Sequence, residues 1–274
     1  MLLTRARSAL LLAAGLILFA CTPTFNPLTR VTSTPGPDSE PSPEPPTPEP
    51  SPAVLYQSNQ TGNWEIFLSW LGSNEAWNLT SHEGEDRNPA WSPDGRSVVF
   101  ESHRDGNWEI YLLELESGGI SRLTNHAHYD GSPAWAPDGE RIAFESYRDG
   151  NLNLYLMSLA TQELTRLTDD LAGDFGPAWS PDGSHLAFTS WRDGDKEIYV
   201  LDLEADSLRN VTGHPADDEY PSWSPDGLRL AFVSTRDGIG EVYTLDPESG
   251  DVERITSDDV GERAPAWLPN GGGL

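Results

Sequence analysis

Five acidic residues occupy the same place in a repeated phrase of this sequence. Asp86, Asp130, Asp174, Asp218 and Glu262 each stand five residues before a tryptophan, and those tryptophans, Trp91, Trp135, Trp179, Trp223 and Trp267, follow one another at steps of 44 residues. Carboxylates gathered in one ring could hold a cation. Alternatively, each could pair inside its own unit with an arginine, since Arg104, Arg148, Arg192 and Arg236 recur at the same step. The heptapeptides that carry the tryptophans (PAWSPDG, PAWAPDG, PAWSPDG, PSWSPDG, PAWLPNG) pose the same choice, because an Asp in a turn serves either an active site or a scaffold.

The period settles what kind of elements must position these groups. Tyr56, Phe100, Phe144, Phe188 and Phe232 obey it, as do Leu79-Thr80, Leu123-Thr124, Leu167-Thr168, Val211-Thr212 and Ile255-Thr256. Whole units are therefore copied, which is the mark of a propeller or a solenoid. In the unit spanning residues 87–124, NPAWS reads as a strand, PDG as a tight turn and RSVVFES as a second strand. HRDGN is another Asp-Gly turn, WEIYLLEL a third strand with alternating apolar residues, ESGG a turn and ISRLT a fourth strand. No helix-period segment follows Pro52, which excludes helical solenoids and leaves an all-β array of four-stranded antiparallel blades.

The unit PAWSPDGRSVVFESHRDGNWEIYLLELESGGISRLT resembles the repeat of TolB-type, WD-repeat-like β-propellers, and the resemblance covers Ala53 to Gly271. It implies a closed ring of blades, here five, where the best-known member of the family has six. The array begins with strands two to four of a blade and finishes with a lone first strand at residues 265–268, so a fifth blade is expected to close by pairing the chain's two ends. The repeated tryptophans, Trp91, Trp135, Trp179, Trp223 and Trp267, are then structural, since each blade must pack and turn alike.

In such a blade, the loops joining strands two and three, and those leading into the next first strand, share one face, called the top here. Counting back from the Asp-Gly turn puts Asp86 opposite His103 and beside Arg104, which favours internal Asp–Arg pairs over a cation ring. The closing unit differs, with Glu262 facing Asn59 and Gln60 and only Arg263 nearby. Some propeller lyases that resemble this repeat class bind a metal through several histidines. Here His82, His126 and His214 sit on the outer strands of separate blades, too far apart for bonds of roughly 2 Å, and His103 and His128 alone make a weak set. The expectation is therefore no metal and no cofactor. A Gly-x-Ser-x-Gly elbow and a phosphate loop are absent, GIGEVY at Gly238 lacks the third glycine of a dinucleotide site, and no hydrolase domain is expected after Leu274.

Binding, rather than catalysis, is the function these residues suggest. Between the repeated Ser and Arg after strand two the chain varies, with Asn59, His103, Tyr147, Trp191 and Thr235. The approach to strand one varies too, with Arg87, Tyr129, Phe175, Tyr220 and Arg263. Aromatic and arginine side chains on one rim are the types that dominate interface energetics, so His103, Tyr147, Trp191, Arg87, Tyr129, Phe175, Tyr220 and Arg263 form the candidate surface for a protein or peptide partner of a monomeric propeller. Ordinary packing at the channel mouth is the alternative role for the same residues. A glycan-binding or glycan-cleaving propeller is the second functional reading, because aromatic platforms and carboxylates serve carbohydrates as well.

The composition before the repeats says where the domain works. Arg5 and Arg7 precede an apolar run at residues 9–20, shorter than the roughly 20 residues of a membrane span, so residues 1–20 read as a secretory signal. The signal ends Leu-Phe-Ala-Cys, which resembles the lipobox of bacterial lipoproteins, with Cys21, the only cysteine, as the lipidated residue. Residues 21–52 are rich in Pro, Ser, Thr and Glu and read as a disordered stalk before the propeller of residues 53–274. A net charge of −27 argues against nucleic acid and for cationic partners or bound cations at a bacterial cell envelope. Cys21→Ser is expected to move the protein from the membrane to the soluble fraction, because acyl chains supply the membrane affinity. Retention of the variant in membranes would rule the anchor out.

Overall fold

Each 44-residue unit folds as one antiparallel sheet because its alternating β-branched and aromatic residues are cut by Asp-Gly turns at fixed places. The computed structural model describes residues 53–72 and 74–267, and the signal, Cys21 and the stalk lie outside them. Blade I holds β1 (Ala53–Ser58), β2 (Glu65–Trp70) and β3 (Ala76–Asn78). Blade II holds β4 (Asp86–Trp91), β5 (Ser97–Ser102), β6 (Glu109–Glu114) and β7 (Gly119–Arg122). Blade III holds β8 (Asp130–Trp135), β9 (Arg141–Ser146), β10 (Asn153–Ser158) and β11 (Leu164–Arg166). Blade IV holds β12 (Asp174–Trp179), β13 (His185–Ser190), β14 (Glu197–Asp202) and β15 (Ser207–Asn210), and blade V holds β16 (Asp218–Trp223), β17 (Leu230–Ser234), β18 (Glu241–Leu245) and β19 (Val252–Arg254). The five sheets form a five-bladed β-propeller, and all regular structure among the described residues is strand.

The core lies between blades rather than within them. Phe100, Phe144, Phe188 and Phe232, at the centre of each second strand, are fully buried. Each stacks on the tyrosine opposite it, with centroids 5.9 to 6.1 Å apart. Successive blades share apolar clusters, such as Val99 and Ile110 of blade II with Ile142, Phe144 and Tyr155 of blade III. Burying each such ring contributes about 2 kcal/mol, repeated around the ring. The heptapeptide turn is a scaffold device. Ser92 Oγ donates to Asp94 Oδ1 at 2.6 Å, the same oxygen accepts from Arg96 N at 3.0 Å, and Gly95 takes the left-handed conformation at φ 68°. The serine bonds hold the equivalent Asp182 carboxyl down at about 2.

Ring closure follows the expected path with a difference in detail. Residues 262–267 repeat the signatures of a first strand. Ala264 has the positive φ of Asn88, Ser132, Gly176 and Tyr220, Glu262 N donates to Gly240 O at 2.7 Å, and Trp267 Nε1 donates to Ser222 O at 3.0 Å. The last bond reproduces that of Trp179 Nε1 to Ala134 O, 3.2 Å, two blade interfaces earlier. Among the described residues, however, this segment makes no ladder with β1, and Leu268 lies outside them. Gly240 is needed at the seam, because a Cβ there would meet Glu262 O at 3.2 Å and Val233 Cγ1 at 3.1 Å. Deleting residues 262–274 is therefore expected to lower the melting temperature sharply and to cause aggregation through the exposed inner edge. Trp267→Ala, milder, should cost about 1–3 kcal/mol. Calorimetry and gel filtration check both, and an unchanged melting curve and monomeric state for the truncation would show that the seam carries no stability.

Candidate functional site on the top face

Backbone hydrogen bonds sew the top loops into one continuous surface. Each loop entering a first strand is clasped on both sides: Asp86 N donates to Trp64 O of blade I, and His103 N of blade II donates to Glu85 O. The same two bonds recur around Asp130, Asp174 and Asp218, and the first of them at Glu262. Asn63, Asn107 and Asn151 add side-chain donors to the carbonyls of residues 82 and 84, 126 and 128, and 170 and 172 respectively. Variable side chains thus stand on a fixed backbone.

The acidic ring resolves into internal pairs in four units. Asp86, Asp130, Asp174 and Asp218 are wholly buried, and Arg104, Arg148, Arg192 and Arg236 reach both oxygens of their partners at 2.8 to 3.3 Å. Each guanidinium also bonds the Ser before it and lies over the Phe–Tyr stack, as Arg104 does at 5.4 and 4.8 Å from the two rings. The observed register sets Asp86 opposite Ser102 rather than His103, because a bulge between Arg87 and Ala90 absorbs the residue that simple counting assigns to the ladder. Glu262 makes no ion pair among the described residues, in keeping with Gln60 standing where the other units have arginine. No group of three or more His, Cys, Asp or Glu side chains among the described residues could hold a metal ion. His82, His126 and His214 instead accept, through Nδ1, from backbone N–H groups two residues on.

The candidate rim divides into exposed and inward-turned groups. Tyr147, Trp191 and Tyr220 are 45%, 45% and 42% exposed, and His103 and Arg263 are also exposed. Phe175 is half-buried. Arg87 is sandwiched between Trp64 and Trp108, 5.4 and 5.3 Å from the ring centres, and pairs with Glu85 at 2.6 Å. Tyr129 turns inward, its hydroxyl donating to Glu145 Oε1 at 2.8 Å and lying 3.3 Å from Glu101 Oε2. Gly131 makes this possible, because a Cβ there would fall 2.0 Å from the phenol oxygen and 2.5 Å from the Glu101 carboxylate.

Two groups in this site escaped sequence reasoning. Glu101 and Glu145 are buried, and each accepts from the bulge N–H of the next blade, Ser132 N at 2.9 Å and Gly176 N at 2.8 Å; Gln57 serves Asn88 N alike at 2.8 Å. The column reads Gln57, Glu101, Glu145, Thr189, Val233, so its variation beside the repeated aromatic was visible as a signal. Lys196 is the other, with its ammonium 5.2 Å from the Trp191 ring centre and 2.8 Å from Glu219.

The family model of the TolB beta propeller domain matches residues 28–132, 110–196 and 132–274. The chain belongs to the TolB β-propeller family. TolB from Acinetobacter baumannii is 26% identical with a TM-score of 0.70, over 80% of this chain and 55% of that one, so the chain spans little more than half of that relative. The putative TolB of Agrobacterium tumefaciens is 25% identical with a TM-score of 0.66, over 81% of this chain and 88% of that one. An oligogalacturonate lyase from Vibrio parahaemolyticus is similar in fold, at 19% identity and a TM-score of 0.58, over 74% of this chain and 61% of that one. No curated protein matches the sequence.

In this TolB-family propeller the Glu101–Tyr129–Glu145 cluster makes stability depend on pH. Burial pushes both carboxyls above the ordinary glutamate value, and Glu145 raises Glu101 further. A raised folded-state value means that the folded protein binds the proton more tightly. The stabilisation is complete below the unfolded value of about 4.3 and is lost as pH rises through the folded one. Melting temperature is therefore expected to fall as pH rises above the ordinary carboxyl range, and Glu101→Gln or Glu145→Gln should flatten that fall. Parallel pH profiles of wild type and variants would contradict the assignment.

Proposed function

We propose that this propeller is a non-catalytic interaction scaffold of the bacterial cell envelope, lipid-anchored through Cys21 and binding a protein or peptide partner on its top face. The supporting observation is the contrast within each unit: positions that clasp and pack are copied, whereas Asn59, His103, Tyr147, Trp191 and Thr235 differ on a backbone held by repeated hydrogen bonds. Three aromatic side chains that are more than two-fifths exposed stand on or beside this surface, the residue type from which interface hot spots are built. Membership of the TolB family fits an envelope protein with a signal and a stalk. The likeness to the lyase is one of fold, and its chemistry does not carry over at that identity.

Trp191→Ala and Tyr147→Ala should leave folding intact, since both lie outside the repeated core, and each should weaken partner binding by about 1–4 kcal/mol. On the opposite face, Glu116→Ala and Glu248→Ala should have little effect. A partner captured from envelope extract and titrated with each variant, beside a glycan array, checks this. Binding abolished by the opposite-face changes and untouched by the aromatic ones would place the site on the other side, and glycan binding lost in Trp191→Ala would favour a carbohydrate ligand instead.

A further inference from the structure

The top face already binds two cations, and both belong to the protein. The Arg87 guanidinium lies between the Trp64 and Trp108 rings with the Glu85 carboxylate at 2.6 Å. On blade IV the Lys196 ammonium lies over Trp191 with Glu219 at 2.8 Å and Asp217 at 4.0 Å. In each case an aromatic face and a carboxylate converge on one positive group, the arrangement by which proteins recognise lysine and arginine side chains.

On blade III an aromatic face remains without either the cation or its carboxylates, since Lys196, Asp217 and Glu219 correspond there to Leu152, Gly173 and Phe175. Tyr147, which corresponds to Trp191, is 45% exposed, with the His128 ring 6.5 Å from its own. Tyr220, at the bulge of β16, is 42% exposed, and among the described residues no arginine or lysine stacks on either tyrosine. The surrounding charge is predominantly negative, with Arg263 the exposed exception. Glu83, Asp169, Asp258 and Asp259 are exposed carboxylates of the top loops without an ion pair among the described residues, whereas Arg104, Arg148, Arg192 and Arg236 spend their charge on buried aspartates.

We propose that the partner segment is an extended peptide rich in lysine or arginine, whose cationic side chains seat on Tyr147 and Tyr220 within this acidic rim. The proposal rests on the top face being the binding surface and adds the chemistry of what binds there. Both tyrosines lie on different blades, III and V, so a segment carrying several cations engages both where a single charged group engages one. An acidic segment is repelled by the same rim, and a neutral one gains nothing from it. The long-range part of the attraction is screened by salt and the stacked part much less.

The test is a fluorescence-anisotropy titration of the whole propeller with three labelled synthetic peptides of equal length, one with lysine and arginine spaced by glycine and serine, one with glutamate in their place and one neutral. Saturable binding of the cationic peptide alone is expected, weakening as salt rises. Tyr147→Ala and Tyr220→Ala should each reduce affinity about two- to thirtyfold with an unchanged melting curve, the range of a cation–aromatic contact. Glu116→Ala on the opposite face should bind normally. If the glutamate or neutral peptide bound as tightly and lost affinity in Tyr147→Ala, the charge assignment would fall while the top-face site stood. Cationic binding indifferent to both tyrosines would reduce the effect to general attraction and overturn the proposal, as would no saturable binding. Loss confined to Glu116→Ala would overturn the proposal and the top-face reading together.

Discussion

The ion pair between a buried aspartate and an arginine sets the frame on which the rest of this propeller depends. Asp86 and its equivalents sit at the start of each inner strand with no solvent contact, and a carboxylate there is costly unless a cation and hydrogen bonds meet it. Arg104 supplies both, reaching the two oxygens at 3.1 Å while its own Nε donates to Ser102 Oγ and its plane covers Phe100 and Tyr111. The pair is thus fixed to the first strand, the second strand and the aromatic core of its blade at once. Its value lies in geometry more than in net energy. Burial still pushes the Asp218 carboxyl above its ordinary value although Arg236 lies 3.1 Å away, so the attraction does not fully offset desolvation. What it secures is the attachment of the incoming top loop to its blade in the four units that carry the pair.

A second repeated network does the same for the outer half of each blade. The threonine of each repeated Leu-Thr, Val-Thr or Ile-Thr phrase takes a backbone N–H at the start of the third strand, as Thr124 Oγ1 does from Ile110 N at 2.9 Å. In every blade but III, where Asn153 replaces the glutamate, it donates to a glutamate, as Thr124 does to the buried Glu109 at 2.6 Å. Glu109 then accepts from His126 N and Arg122, which ties the loop after the fourth strand to the third. Tyr111, Tyr155, Tyr199 and Tyr243 donate to Asp105, Asp149, Asp193 and Asp237 of the Asp-Gly turns, and burial with that aspartate pushes Tyr155 and Tyr243 up to about 12. Blade I stands apart, with Phe67 for the tyrosine, Gln60 for the arginine and Thr61 for the aspartate. The blade at which the ring closes lacks the Asp–Arg and Tyr–Asp links but keeps the one between Thr80 and the buried Glu65.

The fold was legible in the sequence because a period of 44 multiplies every weak local signal five times. The aromatic of each second strand, the Asp-Gly turns and the Asp–Arg partnership could all be read from it. The bulge could not. Asn88, Ser132, Tyr220 and Ala264 share no residue type that announces a positive φ, and only Gly176 hints at one, so the count across the hairpin was out by one residue. The strand limits moved for the same reason, with the first strand beginning at the acid itself rather than after it. On the candidate rim, Tyr147 and Trp191 are as exposed as their variation suggests. Tyr129, by contrast, shares their variability yet folds inward, and only the absence of a side chain at Gly131 shows why.

This difference between neighbouring columns bears on how a repeated fold acquires a site. A substitution in one unit is tolerated where the blade does not require the side chain, and the variable rim positions qualify because the loop backbone beneath them is held by main-chain bonds and by the repeated asparagines rather than by their own side chains. Glu101 and Glu145 are the exception, since they do supply bonds, to Ser132 N and Gly176 N, while Thr189 and Val233 occupy the same column in blades IV and V. The inner wall is therefore polar and acidic on one side of the ring and lacks those carboxylates on the other. Trp64, Trp108, Arg87 and Tyr129 lie along the first half, and Trp191, Lys196 and Glu219 along the second, so the two halves present different chemistry on one backbone. The partner proposed for the top face would meet these halves in a fixed order, a direction that the five near-identical blades alone do not provide.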